Sequence, residues 1–225
     1  MKIGILQTGL VPENLVEEHG EYPDMFAHFL SGHGFEFEAF CVVENQFPES
    51  ANACDGWLIT GSKHAAYEDH DWIPPLEALI REAYQSDIPM VGVCFGHQIM
   101  AQALGGRVEK FGGIWGVGNK DYTHQDGSSF TLLAMHQDQV VELPPEATTI
   151  ASAQYCEHAM ITYKGKAMSI QPHPEFTASF MKELIDARAG TVIPTDQTDP
   201  ALQTLGHEND TPKFAEEIAS FFKQA

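Results

Sequence analysis

Basic residues are scarce in this chain. Its 225 residues include 12 Lys and Arg against 32 Asp and Glu, a formal charge of −20. A surface so negative repels phosphate backbones and anionic lipid, so nucleic-acid and membrane-surface binding are not expected. Long apolar runs are also missing. None approaches the roughly 18–20 residues of a membrane-spanning helix. The first ten residues, MKIGILQTGL, hold one Lys and an apolar patch broken by Gln7, which reads as a first β-strand rather than a signal peptide. Cysteines are few and far apart. Cys41, Cys54, Cys94 and Cys156 form no C-x-x-C pair. A chain of this length needs no disulfide staples, so free thiols in a reducing cytoplasm are the expectation. Internal repeats and low-complexity tracts are absent, and no composition shift marks a boundary. A single domain over residues 1–225 is therefore expected. Hydrophobic residues make up 43% of the chain, enough to bury a substantial core.

The first half alternates short apolar runs with helix-like stretches. Strands are expected over Lys2–Gln7, Phe35–Val43, Gly56–Thr60 and Met90–Val93. Helices are expected over Pro23–Leu30, Pro74–Gln85 and Phe95–Leu104. Leu76, Leu79, Ile80 and Ala83 share one helical face, and Gly105-Gly106 closes the third helix. Strands joined by crossover helices imply a doubly wound α/β fold, its mostly parallel sheet covered by helices on both faces. The second half adds a small antiparallel β element. It has a glycine-rich stretch over 111–122 and strand candidates at Ser129–Ala134, Thr149–Ala153, Ala159–Tyr163 and Lys166–Gln171, the last two joined by a Lys164-Gly165 turn. Helices follow at Phe176–Arg188 and Pro212–Lys223. Between them, residues 190–211 are rich in Thr, Asp and Pro and read as a loop or flap.

One segment carries a chemical signature. Val91-Gly-Val-Cys94-Phe95-Gly-His97-Gln98 runs an apolar strand into Gly-x-Cys-x-Gly and straight on into a helix. That is the layout of a nucleophile elbow with Cys in place of Ser. The tight turn lifts the sulfur above the sheet edge, and the glycines flank it because side chains there would strike neighbouring backbone. The helix N-terminus favours thiolate at Cys94, and the Phe95 N–H is placed to stabilise an oxyanion. A cysteine nucleophile needs a base and an orienter. Pro172-His173-Pro174-Glu175 offers both: the prolines restrain His173, and Glu175, two residues on in extended chain, points the same way. Leu58-Ile-Thr-Gly61-Ser62 ends a buried strand at what should be the ligand-binding edge of the sheet, where the Gly61 N–H can be a second oxyanion donor.

Gly-Val-Cys94-Phe-Gly-His-Gln98 and, 79 residues downstream, His173-Pro174-Glu175 resemble the two motifs of the class I, or triad, glutamine amidotransferase family. Met135-His-Gln137-Asp138-Gln-Val140 is similar to the H-x-D-x-V segment of the glutaminase domain of GMP synthetase. The likeness is strongest to stand-alone GMP-synthetase-like members, which include plant γ-glutamyl peptidases. It spans roughly residues 1–180. It implies a catalytic triad of Cys94 as nucleophile, His173 as general base and acid, and Glu175 as orienter. Gly61 and Phe95 would be the oxyanion donors, and Gln98, Gln137 and Asp138 would hold the α-amino-acid end of a γ-glutamyl substrate. The implied reaction is hydrolysis of the γ-amide of glutamine, or of another γ-glutamyl compound, through a thioester, with no cofactor. Fused members carry a synthetase that consumes the ammonia. Only about fifty residues follow Glu175 here, so a separate ammonia-accepting synthetase is implied as a partner, or else the enzyme acts alone as a γ-glutamyl peptidase. A third reading, a binding module that has lost its chemistry, fits poorly with an intact Cys94, His173 and Glu175.

No metal is implied by the motifs. His64 and His70 lie among Glu68, Asp69 and Asp71, but their spacing matches no standard zinc pattern. His97 reads as a packing or hydrogen-bonding residue, and Trp57, Trp72 and Trp115 as core or pocket wall.

Overall fold

The computed structural model describes residues 1–112 and 114–224; Gly113, within the glycine-rich stretch, and Ala225 lie outside the described residues. The first half folds as its apolar pattern dictates. Strands β1 (Lys2–Leu6), β2 (Glu36–Phe40), β3 (Gly56–Ile59) and β4 (Met90–Val93) alternate with helices α1 (Glu13–His19), α2 (Tyr22–Phe29), α3 (Ile73–Gln85) and α4 (Phe95–Ala103). The second half comprises β5 (Arg107–Lys110), β6 (Gly116–His124), β7 (Ser129–His136), β8 (Asp138–Glu142), β9 (Ala147–Ala153), β10 (Cys156–Tyr163) and β11 (Ala167–Ile170). The helices α5 (Ala178–Arg188), α6 (Thr195–Thr204) and α7 (Thr211–Gln224) complete it.

The main sheet has the order β2-β1-β3-β4-β11-β10-β9-β6-β7. Neighbours from β2 to β11 pair in parallel, and those from β11 to β7 antiparallel. The expected antiparallel β element thus extends the parallel sheet along one edge, and β5 with β8 forms a separate antiparallel pair. The β10–β11 hairpin turns over residues 164–166, with Lys164 and Gly165 both at positive φ (51° and 75°) at the centre of a β-turn closed by the Lys166 N–H to the Tyr163 carbonyl at 3.0 Å. β11 is the element that matters for the site. It enters from late in the chain and pairs with β4, Ile170 opposite Val93.

Both faces are covered. Side chains alternate along each strand, so Trp57 and Ile59 pack on one face with Leu76, Leu79, Ile80 and Ala83 of α3 and with Ile99 and Met100 of α4. Leu58, Val91, Val93 and Ile170 pack on the other with Phe26 of α2 and with Phe214, Ile218 and Phe222 of α7. Full burial of each such Leu, Ile or Phe contributes about 1.5–3 kcal/mol. A third cluster joins Leu15 of α1 and Phe180, Leu184 and Ile185 of α5 to Val117 and Leu133 of the antiparallel half.

Residues 190–211 correct the sequence expectation. They hold a helix, α6, not a continuous loop. Composition hid it, because Thr and Asp are weak helix formers and Pro200 lies inside the helix. Tertiary contacts decide the matter. Thr198 and Ala201 are buried. The Asn119 N–H donates to Thr204 Oγ1 at 2.9 Å, the Asn119 side-chain amide donates to the Thr204 carbonyl at 2.9 Å, and the Trp115 N–H donates to Gln197 Oε1 at 2.8 Å.

Candidate active site

Three parallel strands lie side by side in the order β3-β4-β11, and each ends in a residue singled out by sequence. β3 runs into Thr60-Gly61, β4 into Cys94, and β11 into Gln171-Pro172-His173. The 79 residues between Cys94 and His173 are thereby closed to neighbouring strand ends, at the carboxyl edge where open α/β sheets bind ligands.

Cys94 sits between β4 and α4 with φ 54° and ψ −103°. A non-glycine residue in such a region stores about 1–3 kcal/mol of strain and persists only where its surroundings hold it. Here the Cys94 N–H donates to the Ile170 carbonyl at 2.9 Å, and the Cys94 carbonyl accepts from the Gln98 N–H at 3.1 Å. The flanking glycines are required by space. A Cβ on Gly96 would lie 2.2 Å from the Ile59 carbonyl oxygen, and one on Gly92 would lie 2.5 Å from that of Gly96.

His173 Nδ1 bonds Glu175 Oε1 at 2.7 Å, and both side chains are almost wholly buried. The Cys94 sulfur is near enough to the ring to act on its charge, and its thiol donates to the Met135 carbonyl at 4.0 Å. Burial works against a charged imidazole. The Glu175 carboxylate, the Cys94 sulfur and the bonds to both outweigh it and raise His173 to about 10. The ring is held as well as charged. It stacks on Phe176 with centroids 3.9 Å apart and planes 6° apart, and the backbone N–H of His173 donates to the Leu133 carbonyl at 2.7 Å.

Gly61 closes the triangle. A Cβ there would lie 2.8 Å from His173 Cε1 and 3.7 Å from the Cys94 Cβ. The Thr60 carbonyl accepts from the Gly96 N–H at 3.1 Å and from the Thr8 hydroxyl at 2.8 Å. In a trans peptide the N–H opposes the carbonyl, so these bonds fix the direction of the Gly61 N–H. Phe95, the first residue of α4, contributes an N–H left over at the helix start. A thiol, an imidazole and a carboxylate in series beside two fixed N–H donors can carry nucleophilic acyl transfer.

The sulfur opens onto a pocket of about 210 Å³ lined by Gln98, Gln137 and Asp138, with Ser62, Trp115 and Arg188 among its other walls. Gln98 is nearly buried. Its amide donates to the Asp138 carbonyl at 2.8 Å and to Gln171 Oε1 at 3.2 Å. Its donors therefore brace the Gln137–Asp138 backbone, and its carbonyl oxygen is the end left for a ligand. Asp138 accepts from the Tyr67 hydroxyl at 3.2 Å. Burial raises the Asp138 carboxyl, and partial burial together with the Asp138 charge pushes Tyr67 up to about 12. His136, in the same segment, is buried and pushed down to about 3, so it is neutral.

Sequence reading missed three contributors. Thr8 follows the first strand and braces Thr60. Phe176 stacks on His173. Arg188, at the end of α5, lines the pocket. Thr8-Gly9 at a strand end was the one local signal available. His97 turns out to be a core residue whose Nδ1 bonds Ser169 Oγ at 2.8 Å. Trp57 and Trp72 are buried in the core, and Trp115 is pocket wall. Among the described residues no helix is long and apolar enough to cross a membrane.

Comparison with known proteins returns to the same strands. The chain is 30% identical over 220 residues to gamma-glutamyl peptidase 4 of Arabidopsis thaliana, covering 91% of this chain and 88% of that protein. It is 32% identical over 158 residues to a GMP synthase [glutamine-hydrolyzing] of Aromatoleum aromaticum, 63% of this chain but 29% of that enzyme. In fold it matches a glutamine amido transferase from Methylobacillus flagellatus, with a TM-score of 0.81 at 20% identity, over 100% of this chain and 94% of that one. The family model for glutamine amidotransferase class-I matches residues 24–188, a span that holds the elbow, the His173–Glu175 pair and the strands that bring them together. An amidohydrolase-type enzyme is what such a site makes, and the chain belongs to the class I glutamine amidotransferase family.

Proposed function

We propose that this enzyme hydrolyses the γ-amide bond of glutamine or of a γ-glutamyl amine through a thioester on Cys94. The observation that carries the reading is the meeting of Gly61, Cys94 and His173 at adjacent strand ends, with Cys94 held at φ 54°. The thiolate, paired with the His173 imidazolium, attacks the γ-carbonyl. The Gly61 and Phe95 N–H groups receive the oxyanion. His173 gives its proton to the departing nitrogen as the C–N bond breaks, leaving a neutral imidazole and the γ-glutamyl thioester. The imidazole then takes a proton from water, which attacks the thioester. Glutamate leaves and the thiolate–imidazolium pair is restored. Glu175 orients the ring and stabilises its charge throughout.

The pocket suits the zwitterionic end of the substrate. Gln98 Oε1 and the Asp138 carboxylate offer acceptors to the α-ammonium, and the Gln137–Asp138 backbone and Arg188 offer donors to the α-carboxylate. Two fates for the nitrogen are compatible with this chemistry: ammonia passed to a separate synthetase, or an amine released to solvent. The similarity to a γ-glutamyl peptidase over nearly the whole of both chains favours the second. The similarity to GMP synthase, over 29% of that enzyme, supports the shared glutaminase chemistry. Purified protein assayed with glutamine, glutathione and simple γ-glutamyl anilides tests the reading. Amine or ammonia release that disappears in Cys94→Ala supports it. A folded protein that cleaves none of these, alone or with a synthetase, contradicts it.

A further inference from the structure

The loop that leaves β3 brings His64, Glu68 and His70 together on the rim of the pocket. His70 Nε2 lies 2.9 Å and His64 Nδ1 3.3 Å from the same carboxylate oxygen, Glu68 Oε2. The three ligand atoms lie within 4.8 Å of one another. We infer that these three side chains form a binding site for a divalent transition ion of the zinc type, at the mouth of the Cys94 pocket.

The geometry is close to what such an ion needs. Zinc bonds of about 2.0–2.1 Å in a tetrahedron place neighbouring ligand atoms about 3.3 Å apart. The two contacts to Glu68 already stand near that spacing, so modest opening of the triangle admits the ion. Two imidazoles and one carboxylate are a ligand set that zinc accepts while keeping a fourth position open. The rings are braced rather than loose. His70 stacks on Trp72, with centroids 5.8 Å and planes 12° apart, and His64 meets the same indole edge-on at 5.8 Å. The loop is pinned by the Glu68 N–H to the Ala65 carbonyl and by the His70 N–H to the Glu68 carbonyl, each at 3.1 Å. The chain's charge of −20 favours any cation.

His64 and Glu68 line the same pocket as Cys94. An ion held between them narrows the entrance, and its open position competes for a carboxylate or leaving group there. Metal binding therefore restrains hydrolysis, a consequence that rests on the proposed function, whereas the binding itself does not.

The test uses Cys94→Ala protein, so that the thiolate contributes no ligand, titrated with Zn²⁺ against a chromophoric chelator. One equivalent is expected to bind, at least tenfold more weakly when His70→Ala or the isosteric Glu68→Gln is added. The trio of Glu18, His19 and Glu183, away from the pocket, is the control: His19→Ala should leave the affinity unchanged. Imidazole resonances of His64 and His70 should shift on titration without any change to the loop. Absence of a stoichiometric site, or a site that survives both loop variants and is lost in His19→Ala, overturns the inference. In Cys94-containing enzyme, Zn²⁺ inhibition should weaken in His70→Ala. Unchanged inhibition alongside lost binding would overturn the restraint on the pocket.

Discussion

The His173 ring donates from Nδ1 to a Glu175 carboxylate that is itself shut away from solvent, at 2.7 Å. Such a buried pair is strong only while both partners are present. Removing the carboxylate charge exposes the imidazolium to the burial that already opposes it. Glu175→Gln should therefore lower the pH at which His173 loses its proton and shift the pH profile of kcat/KM accordingly. Measurable turnover should remain, because Phe176 still stacks on the ring and the Leu133 carbonyl still holds the His173 backbone N–H. Cys94→Ala should leave none, since the atom that forms the thioester is gone. Losses within such a unit are not additive. Equal, complete loss in both variants would contradict the graded role of Glu175.

The two kinds of glycine at the site should separate in their effects. Gly96→Ala drives a methyl against the Ile59 carbonyl and should destabilise the fold by about 1–3 kcal/mol or more. Gly61→Ala meets only the His173 ring, at 2.8 Å. It should lower kcat at least tenfold with a smaller loss of stability. Urea unfolding and steady-state kinetics on both variants check this. The reverse ranking in stability would contradict it.

The cysteines should differ in reactivity. Burial raises the thiols of Cys41 and Cys54 and pushes Cys156 up to about 12. Cys94 alone faces the pocket and pairs with His173. Iodoacetamide at neutral pH, followed by peptide mapping, should label Cys94 first. Equal labelling of the four would count against an activated nucleophile.

Much of this was legible in the sequence because the parallel half is built from local signals. Apolar runs such as Gly56–Thr60, closed by Gly61-Ser62, and Met90–Val93, running straight into a helix-like stretch, can be little else. Cys94, His173, Glu175 and Gly61 stand at the ends of such runs, so chain order and strand order together brought them near. The rest depended on distant partners. Helix α1 has seven residues, one buried apolar side chain and no side-chain cap, so it shows no periodic stripe. Strands β5 and β8 are short and owe their form to each other. Helix α6 is held by Asn119 and Trp115, some eighty residues away. Thr8 and Phe176 serve the site only through contacts that no spacing rule announces.

Acid should destabilise the protein through two buried histidines. Burial pushes His97 and His136 down to about 3, against an ordinary value near 6.5. Both stay neutral in the folded state while the unfolded chain takes up protons as pH falls below about 6.5. Their contribution is complete above that pH and is lost on the way down to about 3. His173, raised to about 10, is fully protonated in the folded state and only half so in the unfolded chain at pH 6.5, so it opposes this slope near 6.5 and ceases to contribute by about pH 5.5. Each proton taken up on unfolding contributes about 1.4 kcal/mol per pH unit. Urea unfolding between pH 6.5 and 5 should show a slope that His97→Asn, which keeps a partner for Ser169, reduces by close to one proton. An unchanged slope would contradict the assignment of His97 as neutral and buried.

The central claim is that γ-glutamyl hydrolysis runs through a thioester on Cys94. Acid quenching of the enzyme during turnover of a γ-glutamyl substrate, followed by mass spectrometry of its peptides, tests it most directly. The account predicts a γ-glutamyl adduct on the peptide bearing Cys94, labile to hydroxylamine, with no adduct and only background amine release from folded Cys94→Ala. Amine release by folded Cys94→Ala at the rate of the unaltered enzyme would contradict the account.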